Sequence, residues 1–214
     1  MFMSPYEIIA KNFSCDEPIF IEDIERLFSD KSRPWIDKTI RTLVDEKKIK
    51  RYSTGIYYIP RKTLFGDSIL SANKVIEKKY LSNDDDVYGY VTGVSLLNSL
   101  GLTTQVPNSI SIVTNKESSR GRRITVGKQD LYLIKSPTKI TKYNYAVLQL
   151  LEAIKLIDLN ELDEIENNNL IRFITNNSIN LKEISEYCNY FPDFVSKKIL
   201  GGNLIGIFTN KEEI

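Results

Sequence analysis

The chain has 214 residues, with 29 Lys and Arg, 28 Asp and Glu and no His, so its formal net charge is only +1. The absence of histidine excludes His-containing catalytic triads, and two cysteines without histidine argue against a zinc site. Cys15 and Cys188 are far apart, the start "MFMSPYEII" has no basic n-region, and no apolar run reaches the roughly 20 residues that span a bilayer, so we expect a cytoplasmic protein.

The first half of the N-terminal region predicts three helices. Ser4 and Glu7 have the spacing of a capping box, which indicates the start of the first helix. The segment "PIFIEDIERLF" predicts a short extended entry and then a second helix. Ser32 is expected to cap a third helix that reaches about Glu46, because its apolar residues recur at helical spacing. Those residues are Ile36, Ile40, Leu43 and Val44.

A β-hairpin is predicted directly after the third helix, in "KIKRYSTGIYYIP". Residues 48–52 and 56–59 form its strands, and Gly55 allows the turn because glycine readily adopts positive φ. Three helices followed by a hairpin is the element order of a winged helix-turn-helix. We therefore predict a DNA-binding domain of this type over residues 1–65, with a second domain over residues 66–214. Residues 61–68 are predicted to be a connector.

The positive charge of the chain is concentrated on the third helix and the hairpin. Residues 31–62 carry ten Lys and Arg against three acids, whereas residues 1–30 carry two against seven. In a winged helix these are the elements that approach phosphates. The alternative is a solvated basic surface on a protein-binding module, and Trp35 could equally be a core anchor. The candidate DNA contacts are Arg33, Trp35, Lys38, Thr39, Arg41, Thr42, Lys50, Arg51, Thr54 and Arg61.

No catalytic, metal or cofactor site is predicted. Three consecutive carboxylates, Asp84–Asp86, point in different directions and read as an exposed turn. Ser95 in "TGVS" lacks the second glycine of a nucleophile elbow. A nucleotidyltransferase would have paired Asp residues on a strand after the "GDS" at 66–68, and none follows.

The second domain is predicted to contain a small antiparallel sheet followed by C-terminal helices, which makes the chain α+β. The segments "SISIVTN", "RRITVG" and "DLYLIKS" are typical of strands. Residues 116–142 carry eight basic residues against two acids. Within them, one exposed sheet edge is expected to bring four cations together, either as a second nucleic-acid contact or as a surface for an acidic partner. These cations are Arg120, Arg122, Arg123 and Lys128.

Three segments resemble the AbiEi-type antitoxins of type IV, or abortive-infection, toxin–antitoxin systems. They are "RTLVDEKKIKRYSTGIYYIP", "VTGVSLLNSLGLTTQVPNSISIVTN" and "RRITVGKQDLYLIKSP". The resemblance covers about residues 33–140. The sequence departs from the family pattern at Lys47 or Lys48, where glycine is usual before the wing, and at Ser95, near the usual alanine.

The resemblance implies a transcriptional repressor that is not an enzyme. The winged helix would bind operator DNA in the protein's own promoter, and the C-terminal domain would counter a cognate nucleotidyltransferase toxin, often without a stable complex. The residues themselves support the DNA-binding half, and the resemblance alone supports the antitoxin half. Because one winged helix reads few base pairs, we expect the operator to be an inverted repeat bound by two copies. The alternative is a winged-helix protein–protein adaptor that does not bind DNA.

Overall fold

The computed structural model describes residues 3–84 and 86–201 and has a mixed α+β fold. The chain forms two compact units, Met1–Lys78 and Lys79–Ile214. The boundary predicted from sequence lies earlier, after residue 65. The segment between these positions belongs to the first unit because two lysines bind it there. Lys74 Nζ donates to the backbone oxygen of Asp16 at 2.9 Å, and Lys78 Nζ donates to Glu17 at 3.0 Å.

The first unit contains the predicted three helices and hairpin, followed by a second, smaller hairpin in the predicted connector. Its elements are α1 (Pro5–Asn12), β1 (Ile19–Phe20), α2 (Ile21–Leu27), α3 (Arg33–Asp45), β2 (Lys50–Ser53), β3 (Ile56–Tyr58), β4 (Lys62–Thr63), β5 (Gly66–Asp67) and α4 (Ala72–Ile76).

Local sequence explains where these helices begin. Ser4 and Glu7 form the predicted capping box, in which the Ser4 N–H donates to Glu7 at 2.7 Å and the Glu7 N–H donates to Ser4 at 3.3 Å. Ser32 occupies the cap position of α3, but its side chain makes no capping hydrogen bond there. Pro34 lies in the first turn of α3, where its fixed φ favours the helix.

An antiparallel sheet of three strands, in the order β1-β3-β2, closes the first unit. Gly55 lies in the turn between β2 and β3 with φ of 72°, as predicted. The helices and the sheet share one apolar core, formed by Ile9, Ile19, Ile24, Phe28, Ile36, Ile40, Leu43, Ile49 and Ile59.

The second unit combines a four-stranded sheet with helices. One π-helical turn, Glu77–Leu81, contains the boundary between the units. The elements that follow are β6 (Ser82–Asn83), β7 (Asp86–Val87), β8 (Gly89–Thr92), α5 (Gly93–Ser99), β9 (Ile110–Thr114), β10 (Arg122–Val126), β11 (Gln129–Lys135), α6 (Tyr145–Leu156), α7 (Glu164–Asn176), α8 (Leu181–Cys188) and α9 (Asp193–Gly201).

The sheet order is β10-β11-β9-β8, and its pairings are of two kinds. The antiparallel pairing that was predicted is present for β10 with β11, and β8, which was not predicted as a strand, pairs antiparallel with β9. In contrast, β9 and β11 are parallel, with Thr114 beside Lys135. The cause is the segment after β9, which carries the chain to the outer edge before β10 and β11 turn back as a hairpin. The alternation of apolar and polar residues within one strand does not indicate whether that strand pairs parallel or antiparallel with its neighbour.

Helix α6 is the centre of the second core. Its residues from Ala146 to Leu148 and from Leu150 to Ile154 are all buried, in contact with side chains of the sheet and of α7, α8 and α9. None of the helices in the described part of the chain is long and apolar enough to cross a bilayer.

Candidate nucleic-acid interface

The exposed side of α3 carries a short stripe of polar residues. Ile36, Ile40 and Leu43 point into the core, so the residues between them face solvent. Lys38 and Arg41 are three positions apart and therefore lie on one exposed face of the helix. The same face continues to Thr42 and Asp45.

A groove of about 410 Å³ separates α3 from the β2–β3 hairpin. Arg41 and Asp45 line it from the helix, and Arg51 and Tyr57 line it from the hairpin. Arg51 folds back over the hairpin turn, where it donates to Ser53 O at 3.3 Å and to Thr54 Oγ1 at 3.2 Å. The helix and the hairpin are thus adjacent, with one arginine on each side of the groove.

Most of the other cations between residues 31 and 62 form ion pairs with carboxylates. Among the residues that the structure describes, six of the ten pair with a carboxylate, and four of the carboxylates lie outside this stretch: Asp16, Glu25, Asp30 and Asp67. The local excess of charge in the sequence is therefore largely compensated in three dimensions. The paired cations are Lys31, Arg33, Lys48, Lys50, Arg61 and Lys62.

Three of the predicted DNA contacts form such ion pairs. Arg33 contacts Glu25 and, at 3.3 Å, Asp37. Arg61 binds Asp16 through Nε at 3.0 Å and Nη2 at 2.7 Å, and it is Ser68 and Arg61 that lower the pKa of that aspartate. A third, Lys50, pairs with Asp67 at 3.1 Å.

The remaining cations of the stretch are those available to a ligand. Within residues 3–84 and 86–201, Lys38, Arg41, Lys47 and Arg51 form no ion pair. Lys47 follows α3 with φ of 57°, in the left-handed region that favours glycine. A residue with a side chain has a steric cost in this conformation that glycine would not have.

The uncharged candidates on α3 have structural contacts. The Trp35 ring lies 5.4 Å from the Phe28 ring and packs against the core. Its position is therefore that of a core anchor, which was the alternative to a DNA contact. Thr42 Oγ1 donates to the backbone oxygen of Lys38 at 3.1 Å, and Thr39 is half-buried. Only Thr54 of the three threonines lies on the hairpin turn.

The second group of cations does not form one cluster. All four residues are exposed and lie on or beside the edge strand β10, but Arg120 and Arg122 lie at one end and Lys128 lies in the turn at the other. Successive residues of a strand face opposite sides, so Arg122 and Arg123 point away from each other. Arg123 pairs across the strands with Tyr132, beside a small groove that also contains Asp130.

A buried carboxylate that sequence reasoning missed organises the loop before β10. Glu117 is 5% exposed and accepts hydrogen bonds from Ser118 N, Ser119 N, Ser119 Oγ and Arg122 Nε, at 2.5–3.0 Å. Bonds from Ser119 and the Arg122 guanidinium lower the pKa of Glu117 to about 2. The sequence offers one indication of this role, because Glu117 is the only acidic residue in the basic segment "NKESSRGRR".

Among the described residues there is no group of three His, Cys, Asp or Glu side chains that could hold a metal ion. Asp84 and Asp86 are exposed, and Asp85 lies outside the described residues.

The model of a protein family of unknown function, DUF6088, matches residues 14–181. The chain belongs to the DUF6088 family. The matched region includes α3, the β2–β3 hairpin and the four-stranded sheet. No curated protein matches the chain.

Proposed function

We propose that this DUF6088 protein is a DNA-binding transcriptional repressor whose first unit is a winged helix-turn-helix. In this proposal α3 is the recognition helix and the β2–β3 hairpin is the wing. The element order and the groove between α3 and the hairpin support it. The observation that carries it is the position of the unpaired cations, with Lys38 and Arg41 on the exposed face of α3 and Arg51 on the hairpin beside it.

The proposed biological role is that of an antitoxin. The protein would bind an inverted repeat in its own promoter in two copies, repress its operon, and counter a nucleotidyltransferase toxin in the cytoplasm without being an enzyme itself. The support for this role is the resemblance of residues 33–140 to AbiEi-type antitoxins. If the neighbouring reading frame encodes a nucleotidyltransferase that arrests growth, co-expression of this protein should restore growth, and failure to restore it would contradict the proposal.

Binding to promoter DNA tests the repressor proposal. Fluorescence anisotropy with the protein's own promoter duplex should show tighter binding than with a scrambled duplex of equal length, and the affinity should fall as salt rises. Lys38→Ala should weaken binding. The matched control is Lys11→Ala on α1, which removes the same charge from an exposed site outside the proposed interface and should change little. Equal affinity for both duplexes would contradict sequence-selective binding.

One observation favours the alternative of a protein–protein adaptor. Leu64 and Phe65 form the turn of the β4–β5 hairpin and are completely exposed. The hairpin is held in place by Lys62 and Lys50, which both pair with Asp67. Apolar residues displayed on an ordered turn are typical of contact surfaces. Replacement of both by Ser should leave promoter binding unchanged in the repressor proposal and should abolish partner binding in the adaptor alternative.

A further inference from the structure

The parallel pairing of β9 with β11 creates a pocket that lies outside the proposed DNA interface. Thr114 and Lys135, the last residues of the two strands, are neighbours in the register. The segments that leave them line an open pocket of about 390 Å³. Ligands of sheets with parallel strands commonly bind beyond the carboxyl ends of those strands. We call this the β9–β11 pocket, and its lining residues are Thr114, Asn115, Glu117, Lys135, Ser136, Pro137, Thr138 and Lys139.

Hydrogen bonds fix the walls of the β9–β11 pocket. The Asn115 amide binds both backbone groups of Ile140, donating to its oxygen at 2.8 Å and accepting from its N–H at 3.0 Å. The Asn144 amide donates to Lys139 O at 2.9 Å, and Ser136 Oγ donates to Thr138 O at 2.5 Å. A pocket whose walls are already ordered binds a ligand with a smaller loss of conformational entropy.

The charge of the pocket is positive, because its one carboxylate already pairs with Arg122. Lys135 and Lys139 are exposed and form no ion pair with any residue in the described ranges. Glu117 is the one carboxylate among the lining residues, and its oxygens are already bonded to Ser118, Ser119 and Arg122. The two ammonium groups are therefore left for an external anion.

We propose that the β9–β11 pocket binds phosphate groups. A compact ammonium group is a strong partner for phosphate, and the hydroxyl group of Thr138 adds a polar contact beside it. The volume exceeds that of one phosphate and falls within the range of small-molecule sites, so a chain of two or three phosphates fits the two lysines. The phosphates come either from a free nucleotide or from a nucleic-acid backbone. The proposal does not depend on the function of the first unit.

Calorimetric titration of the full chain with inorganic triphosphate tests the site. The variant Lys135→Gln/Lys139→Gln should bind at least tenfold more weakly, while its melting temperature stays unchanged. The control Lys182→Gln/Lys197→Gln removes the same charge from two exposed positions of the same unit outside the pocket and should bind within twofold of the unmodified protein. Lack of triphosphate binding by the unmodified protein, or an equal loss in both variants, would overturn the proposal.

Competition identifies the source of the phosphate. ATP or GTP that displaces the triphosphate, when a 12-nucleotide single strand or duplex of DNA does not, supports a free nucleotide as the ligand. Displacement by the oligonucleotides, lost in Lys135→Gln/Lys139→Gln, supports a nucleic-acid backbone. Displacement by neither would overturn the proposal, because phosphate held in the pocket must compete with at least one natural form of it.

Discussion

The two basic stretches of this chain have similar charge in sequence and different charge in structure. Between residues 31 and 62, six of ten cations pair with carboxylates of the described part of the chain, and four of those carboxylates come from outside the stretch. Between residues 116 and 142, one of eight cations does so, Arg122 with Glu117, among the residues that the structure describes. The comparison shows that counting charges along the sequence overestimates the positive charge of a surface wherever carboxylates from another segment pair with its cations.

The largest expected effect comes from removing the unpaired cations of the first stretch. Lys38→Ala/Arg41→Ala/Arg51→Ala should weaken binding to the promoter duplex about 100-fold, since each contact contributes on the order of 1 kcal/mol. Anisotropy at a fixed salt concentration measures the loss, and circular dichroism should show an unchanged fold because the three side chains are exposed. An affinity within threefold of the unmodified protein would show that these residues are not the interface.

The next effect concerns the one ion pair of the second stretch. Glu117→Gln should lower the free energy of unfolding at pH 7 by about 2 kcal/mol, because the lost carboxylate accepts several hydrogen bonds, one of them from Arg122. The folded-state pKa of about 2 lies below the usual value of 4.5, so the unfolded chain binds more protons between these values. The stabilisation by Glu117 is therefore complete above about pH 4.5 and is lost as the pH falls towards 2.

Urea unfolding of both proteins at several pH values checks this prediction. The difference in stability between the unmodified protein and Glu117→Gln should shrink steadily from pH 4.5 to pH 2. A difference that stays constant over this range would mean that the ionised carboxylate is not what stabilises the loop.

A smaller change in stability is expected at Lys47, where two substitutions distinguish the effect of backbone conformation from the effect of charge. Lys47→Gly should raise the stability of the protein by about 1 kcal/mol, because glycine adopts φ of 57° without the steric cost that a side chain brings. Thermal or urea unfolding measures it. Lys47→Ala removes the same charge without relieving the backbone, so it should give no such gain, and a gain equal to that of Lys47→Gly would assign the effect to charge instead.

The smallest expected effect on stability belongs to the unpaired arginines beside β10. Arg120→Ala/Arg123→Ala should change the free energy of unfolding by less than about 0.5 kcal/mol, since exposed charges contribute little. Arg122→Ala should cost more, because it leaves Glu117 without its cation. With folding intact, the double variant separates the open roles: loss of toxin rescue alone assigns these arginines to antitoxin action, and loss of repression alone assigns them to DNA. A double variant that keeps both would make them a solvated edge.

Much of the first unit could be predicted from local patterns. The helical spacing of Ile36, Ile40 and Leu43 predicts α3, and Gly55 predicts the hairpin turn. The pairing of Asp16 with Arg61 could not be predicted, because it joins residues 45 positions apart. Such contacts depend on tertiary structure, and they decide which candidate cations remain available.

The second unit was less predictable for the same reason. Its strands follow from β-branched residues in short runs, but the parallel pairing of β9 with β11 depends on the path of the chain after Thr114. The β9–β11 pocket exists only because of that path. In the predicted group of arginines, period-two alternation already separated Arg122 from Arg123, and the structure adds the distance along β10 to Lys128.

The salt dependence of promoter binding tests most directly whether ion pairing decides which cations meet DNA. Each phosphate contact adds about −0.9 to the slope of log K against log salt. Lys38→Ala/Arg41→Ala/Arg51→Ala should therefore reduce the slope by nearly three. The control Lys31→Ala/Lys48→Ala/Lys62→Ala removes three paired cations and the same charge, and it should leave the slope almost unchanged. An equal reduction in both variants, or no salt dependence in the unmodified protein, would contradict the account.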